Sequence, residues 1–204
     1  MIDRWTHAWV QKPLNVFAKS MIGRVTPDQL TFGGFIIGML AVPLLAMEWY
    51  TPALVAIVIN RIMDGLDGTL ARYTQTSDAG GFLDICLDFL FYSAVIFGFA
   101  LANPEQNALA AAFLIFCFIG TGSSFLAFAI MAEKHQLARI QFDNKSLHYL
   151  GGLTEGTETL LFYIAICLWP QQFSILAVIF GGLCLITVFT RIYGGYQTLS
   201  RIQS

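Results

Sequence analysis

Six apolar stretches make up most of this 204-residue chain, at about 30–49, 53–72, 80–102, 108–131, 150–169 and 173–193. Each reaches the roughly 20 mostly apolar residues that a helix needs to cross a hydrocarbon core. Polar or proline-containing breaks fall between several of them: Tyr50-Thr51-Pro52, Asn103-Pro104-Glu105-Gln106 and Pro170-Gln171-Gln172. Such residues suit the tight turns of helical hairpins. Residues 1–22 differ, since they lack the continuous apolar core of a secretory signal. Ile2, Trp5, Trp9, Pro13 and Val16 recur near helical spacing, with Arg4, Lys12 and Lys19 elsewhere, as in a helix lying in the headgroup plane. The pattern predicts an all-α membrane protein of six transmembrane helices preceded by an N-terminal amphipathic interfacial helix. It reads as a single domain over 1–204: interfacial helix 1–22, six-helix bundle 30–193, cytoplasmic tail 194–204.

Composition agrees. Hydrophobic residues make up 56% and charged residues 12% of the chain, and mean hydropathy is +0.66. A soluble domain carries about 25% charged residues, so a soluble fold and a disordered chain are both disfavoured. A net charge of −2 argues against nucleic acid as a partner. Cys86, Cys117, Cys167 and Cys184 all fall in apolar runs without a C-x-x-C pair, and read as small buried hydrophobes.

Orientation follows from the basic residues. Arg4, Lys12, Lys19, Arg24, Arg72, Lys134, Arg139, Lys145, Arg191 and Arg201 all fall on one side of the predicted bundle, and Arg61 lies inside the second run. The positive-inside rule places that side, with both termini, in the cytoplasm. The economy of the chain suggests a bacterial inner membrane.

Four carboxylates break the apolar pattern: Asp64 and Asp67 in the second run, Asp84 and Asp88 in the third. Uncompensated, they would cost about 10–14 kcal/mol on insertion scales. Spacings of three and four put each pair on one helix face. The connection over 73–79 is short enough to make the two helices antiparallel neighbours. Arg72, and in part Arg61, offset some charge; two divalent cations would neutralise all four. Carboxylate-only ligands suit Mg²⁺ or Mn²⁺, and no Glu-x-x-His motif points to di-iron chemistry. Gly65, Gly68, Ala71, Ala79, Gly80 and Gly81 surround the acids and read as clearance for a bulky anion such as a pyrophosphate. Gly34 with Gly38, and Gly120 with Gly122, read as helix-packing positions that include a candidate homodimer face.

Asp64-x-x-Asp67-Gly68-x-x-Ala71-Arg72, seven residues, then Gly80-x-x-x-Asp84-x-x-x-Asp88, resembles the signature of the CDP-alcohol phosphotransferases. Thr26-Pro27-Asp28-Gln29-Leu30-Thr31 is similar to that family's Thr-Pro-Asn-x-Leu/Ile-Thr approach to span one, with Asp28 in place of the usual Asn. The resemblance implies two divalent ions on the aspartates, gripping the pyrophosphate of a CDP-linked alcohol. An acceptor hydroxyl then attacks the alcohol-side phosphorus and CMP leaves. By position, Asp64, Asp67 and Asp84 are implied metal ligands, and Asp88 a ligand or the general base. Thr31, Gly68, Ala71, Arg72 and Gly80, with Asp64 shared, are the implied CDP-binding residues. The expected donor is CDP-diacylglycerol, with membrane lipids around it. The alternative is transfer of a phospho-amino-alcohol from CDP-choline or CDP-ethanolamine to diacylglycerol.

A second acidic pair, Glu155 and Glu158, opens the fifth run. Acids in a first helical turn suit the helix dipole. Gly-x-x-Glu155-Gly also resembles a stretch near the acceptor site of eukaryotic choline and ethanolamine phosphotransferases. Both glutamates, with Arg61, are therefore acceptor-site candidates, and Arg61 is equally a structural partner for an aspartate. Extra carboxylates would favour a neutral or cationic acceptor over a sugar phosphate, unless Arg61, Arg139, Lys145 and Arg191 converge on the site. His148 reads as a surface histidine. An ion-coupled transporter is disfavoured by the off-centre acids and the absence of an internal repeat.

Overall fold

The structure, a computed structural model, describes residues 13–135 and 152–202. Ile2, Arg4, Trp5, Trp9 and Lys12, and Arg139, Lys145, His148 and Leu150, lie outside the described residues. Every regular element among those described is helical. Residues 13–21 form α1, followed by α2 (Pro27–Met39), α3 (Ala41–Ala46), α4 (Tyr50–Tyr73), α5 (Asp78–Ala102), α6 (Pro104–Lys134), α7 (Gly156–Leu168) and α8 (Phe173–Ile202). A 3₁₀ turn, Pro170–Gln172, joins the last two at the expected break.

Caps explain where the helices begin. Thr26 and Gln29 form a reciprocal capping box at α2, with Pro27 in its first turn. Ser77 Oγ accepts from the Gly80 amide to start α5, and Asn103 Oδ1 accepts from the Gln106 amide to start α6. The first apolar stretch is two helices, α2 and α3, meeting at Leu40. Pro43 has no N–H to offer the Met39 carbonyl, so the ladder breaks there. The expected break at Tyr50-Thr51-Pro52 lies earlier, around Glu48 (φ 61°), and Pro52 sits in the first turn of α4, where its missing donor is harmless.

Among the described residues, four helical segments are long and apolar enough to cross a membrane: Pro27–Ala46, Asp78–Ala102, Pro104–Lys134 and Pro170–Arg201. The other two expected spans differ for separate reasons. The 24 residues of α4 suffice in length but carry Arg61, Asp64, Asp67 and Arg72. The fifth stretch forms a helix of only 13 residues, because residues 152–155 are not helical and bend before the extended N-cap Glu155. At the C-terminal end, α8 continues to Ile202, so residues 194–202 are helical.

The main core runs through α5. Phe91, Val95 and Phe99 are fully buried with Leu114, Tyr163 and Phe173 from the three later helices. Phe99 and Phe173 stack with centroids 4.7 Å apart. A smaller core docks α1 against α4: Ala18 is fully buried with Leu30, Leu66 and Leu70, and Lys19 Nζ sits 5.3 Å from the Tyr73 ring centroid. Val16 and Phe17 face outward. Cys117, Cys167 and Cys184 are buried and all four cysteines are free thiols.

The paired glycines are taken up within the chain. A Cβ on Gly34 would meet Met63, and one on Gly38 would meet Asn60 and Phe91. Gly120 faces Val188 and Gly122 faces Phe89. These are close helix crossings inside the molecule, so the expectation that they form a dimer face is not supported.

Candidate active site

Two helices carry the acids, and a four-residue connection, Thr74–Ser77, sets them side by side. Asp64 and Asp67 project from the second half of α4 at spacing three, and Asp84 and Asp88 from the first half of α5 at spacing four. At 1.5 Å per residue, Asp84 and Asp88 lie about 10 and 16 Å along the axis from the Ser77 cap. Asp64, Asp67 and Asp84 therefore lie in the half of the hairpin nearest its connection, with Asp88 close to the middle of α5.

They line a cleft together with Thr31, Gly34 and Phe35 of α2, Asn60 and Arg61 of α4, and Leu87 of α5. One carboxylate oxygen each from Asp64, Asp84 and Asp88 lies within 4.8 Å of the others. Asp67 lines the same cleft but stands beside this trio: Thr31 Oγ1 donates to Asp67 Oδ2 over 2.5 Å, with the Pro27 carbonyl 3.1 Å away as the weaker contact for the same proton. An oxygen-only donor set of clustered carboxylates fits Mg²⁺ or Mn²⁺.

Arg61 is the cation of the cleft. Its side chain is 10% exposed. Nη2 donates to Asp88 Oδ1 at 2.6 Å, Nη1 to the Tyr92 hydroxyl at 2.8 Å, and Nε to Asn60 Oδ1 at 2.8 Å. Asp64 Oδ2 is 3.6 Å from Nη1. The guanidinium carbon lies 4.6 Å from the Phe91 ring centroid and 4.9 Å from that of Tyr92. Arg61 is thus paired with two aspartates, Asp88 more closely than Asp64. Asn60 and Tyr92 escaped the sequence reading. Asn60 could have been noticed as a lone amide in an apolar run; Tyr92 is one aromatic among many.

The small residues divide into two kinds. Gly68 and Gly81 are exposed with open space around them, and with Ala71 and the exposed Arg72 they leave the backbone approachable one turn beyond Asp64 and Asp67. Arg72 Nη2 bonds only Thr69 Oγ1, at 3.0 Å, among the described residues. Gly65 and Gly80 serve packing instead. A Cβ on Gly65 would lie 3.1 Å from Leu14 of α1, and one on Gly80 would lie 2.8 Å from Asp28 Oδ1. Asp28 thus sits where α2 meets the start of α5.

Glu155 and Glu158 are not among the residues lining the cleft. Glu155 is the N-cap residue of α7, and its Oε1 accepts from the Gly152 amide at 2.9 Å. Glu158 lies in the first turn of α7. Arg191 of α8 donates to the Thr121 carbonyl of α6 at 3.2 Å.

Residues 24–192 match the sequence profile of the CDP-alcohol phosphatidyltransferases. Inner membrane protein YnjF of Escherichia coli (strain K12) is 56% identical over 205 residues, covering 100% of this chain and 99% of that protein. Archaetidylinositol phosphate synthase of Pyrococcus horikoshii is 37% identical over 96 residues, 46% of this chain and 51% of that enzyme. The fold matches that of phosphatidylinositol phosphate synthase (PgsA1) from Mycobacterium tuberculosis at 18% identity. With CDP-DAG bound, that protein superposes with a TM-score of 0.65 over 90% of this chain and 93% of its own. In complex with manganese and citrate the TM-score is 0.66, over 90% and 88%.

Proposed function

The chain belongs to the CDP-alcohol phosphatidyltransferase family, and from that premise we propose that this transferase moves a phosphatidyl group from CDP-diacylglycerol to a hydroxyl acceptor, releasing CMP. The observation that carries the reading is the trio Asp64, Asp84 and Asp88, with ligand oxygens within 4.8 Å of one another. The CDP-DAG and manganese complexes of the structural neighbour support the choice of donor and of a divalent cation.

In this reading Asp64, Asp67, Asp84 and Asp88 hold two Mg²⁺ or Mn²⁺ ions. When bound, these supply the positive charge that neutralises the pyrophosphate and the transferring phosphoryl oxygens. Thr31 fixes Asp67. Gly68, Ala71 and Arg72 border the cytidine and phosphates. The acceptor oxygen forms its bond to the alcohol-side phosphorus, the bond to CMP breaks, and CMP leaves with the electron pair. Asp88 takes the acceptor's proton on Oδ2, the oxygen that Arg61 leaves uncommitted.

The same reading makes all six helical units of the bundle, α2–α3 as one, membrane spans with both termini cytoplasmic, in a bacterial inner membrane. The excess of Lys and Arg at one end supports the orientation, and the relative named as an inner membrane protein supports the location.

The test follows CMP release by the detergent-purified protein with Mn²⁺ or Mg²⁺. CDP-diacylglycerol or CDP-ethanolamine serves as donor, and inositol phosphate, glycerol phosphate, serine, other alcohols and diacylglycerol as acceptors. Acceptor-dependent CMP release from CDP-diacylglycerol is expected. Release only from CDP-ethanolamine with diacylglycerol would overturn the assignment of the donor.

A further inference from the structure

We propose that Arg61 is a positioning residue of this site, acting through Asp88: it fixes one carboxylate oxygen so that the other is presented to the cation and to the acceptor. A guanidinium in a membrane helix is costly, and this one is held far more closely than neutralising an acid requires. It is gripped on three sides, by Asn60, Tyr92 and Asp88, and lies against two aromatic rings. Its partners are themselves tied down. Asn60 Nδ2 donates to the Gly34 carbonyl of α2 at 2.9 Å, and the Tyr92 carbonyl accepts from the Tyr163 hydroxyl of α7 at 2.9 Å.

The result is a chain of hydrogen bonds from α2 through α4 and α5 to α7, with Asp88 attached at its centre. The planar fork makes this work. Nε, Nη1 and Nη2 point in fixed directions, so holding Asn60 and Tyr92 determines where Nη2 meets Asp88. Arg61 touches neither donor nor acceptor in this account. Partners that orient a metal-ligating group typically matter by about 10–100-fold in affinity or activity.

The kinetic part of this inference rests on the transferase reading; the metal-binding part does not. The experiment titrates Mn²⁺ by electron paramagnetic resonance into the full-length wild type, Arg61→Gln, Asp88→Asn and the double variant, and measures CMP release in parallel. Arg61→Gln is expected to weaken Mn²⁺ binding about tenfold in the wild-type background and to leave it unchanged in the Asp88→Asn background. CMP release should fall in kcat by a similar factor or more, with KM for the acceptor unchanged. Arg61→Lys keeps the charge but not the fork; it should fold like the wild type and recover only part of the loss.

Tighter Mn²⁺ binding by Arg61→Gln in both backgrounds would reduce Arg61 to a repelling charge and overturn the proposal. A rise in acceptor KM with kcat intact would make it an acceptor-binding residue, and full activity in Arg61→Lys would show that charge alone suffices. If the wild type binds Mn²⁺ but releases no CMP with any substrate pair, the transferase reading fails, while the Mn²⁺ titrations still decide the role of Arg61.

Discussion

Thr31 Oγ1 and Asp67 Oδ2 are 2.5 Å apart, and this bond ties α2 to the acid-bearing side of α4. It spans 36 positions in sequence and ends on the one acid of the four that stands outside the mutual 4.8 Å trio. Thr31→Val keeps the shape and deletes the donor. It should lower turnover about 10–100-fold with little change in melting temperature, and Thr31→Ser should restore most of it. Equal activity in the Val variant would make the bond ornamental.

Asp64→Asn and Asp84→Asn each remove a charged oxygen from the trio. Both should lose Mn²⁺ binding by paramagnetic resonance and lose turnover together, and chelation by EDTA should reproduce the loss in the wild type reversibly. A variant with full activity would break the assignment of the trio.

Asp88→Asn separates two roles. As the proton acceptor, its loss should cost about 10²–10⁴-fold in kcat while CDP-diacylglycerol still binds. Loss of nucleotide binding along with turnover would make Asp88 chiefly a ligand.

Gly38→Ala tests packing rather than chemistry. The added methyl would lie 2.8 Å from both Asn60 Nδ2 and the Phe91 ring, too close to stand without displacement. Overpacking of this kind costs about 1–3 kcal/mol. A lower melting temperature in detergent is expected, with activity falling too because Asn60 is displaced. Unchanged stability would mean that α2 and α5 can part without penalty.

Much of this was legible in the sequence because lipid imposes strong rules on run length and charge. The α4–α5 hairpin, its short connection and the facing acids follow from spacing alone, and Ser77 and Asn103 cap where polar breaks were expected. What escaped depended on contacts between helices. In a bilayer the lipid-facing side is as apolar as the core, so no periodicity reveals which face of α4 meets α5, or that Tyr92 receives Arg61. Gly65 and Gly80 likewise read as space for an anion, whereas Leu14 and Asp28, far from them in sequence, fill that space. The shortness of α7 could not be foreseen either, since Gly151 to Leu153 look as apolar as the helix that follows.

The position of Asp84 and Asp88, within three turns of the Ser77 cap, carries a consequence for kinetics. For the proposed CDP-diacylglycerol donor, whose acyl chains keep it in the leaflet, such a centre is reached by lateral diffusion within the membrane rather than from solution. Velocity should then follow the mole fraction of donor in the membrane rather than its amount per litre. Diluting a vesicle with inert lipid at constant donor should slow the enzyme as surely as removing donor does.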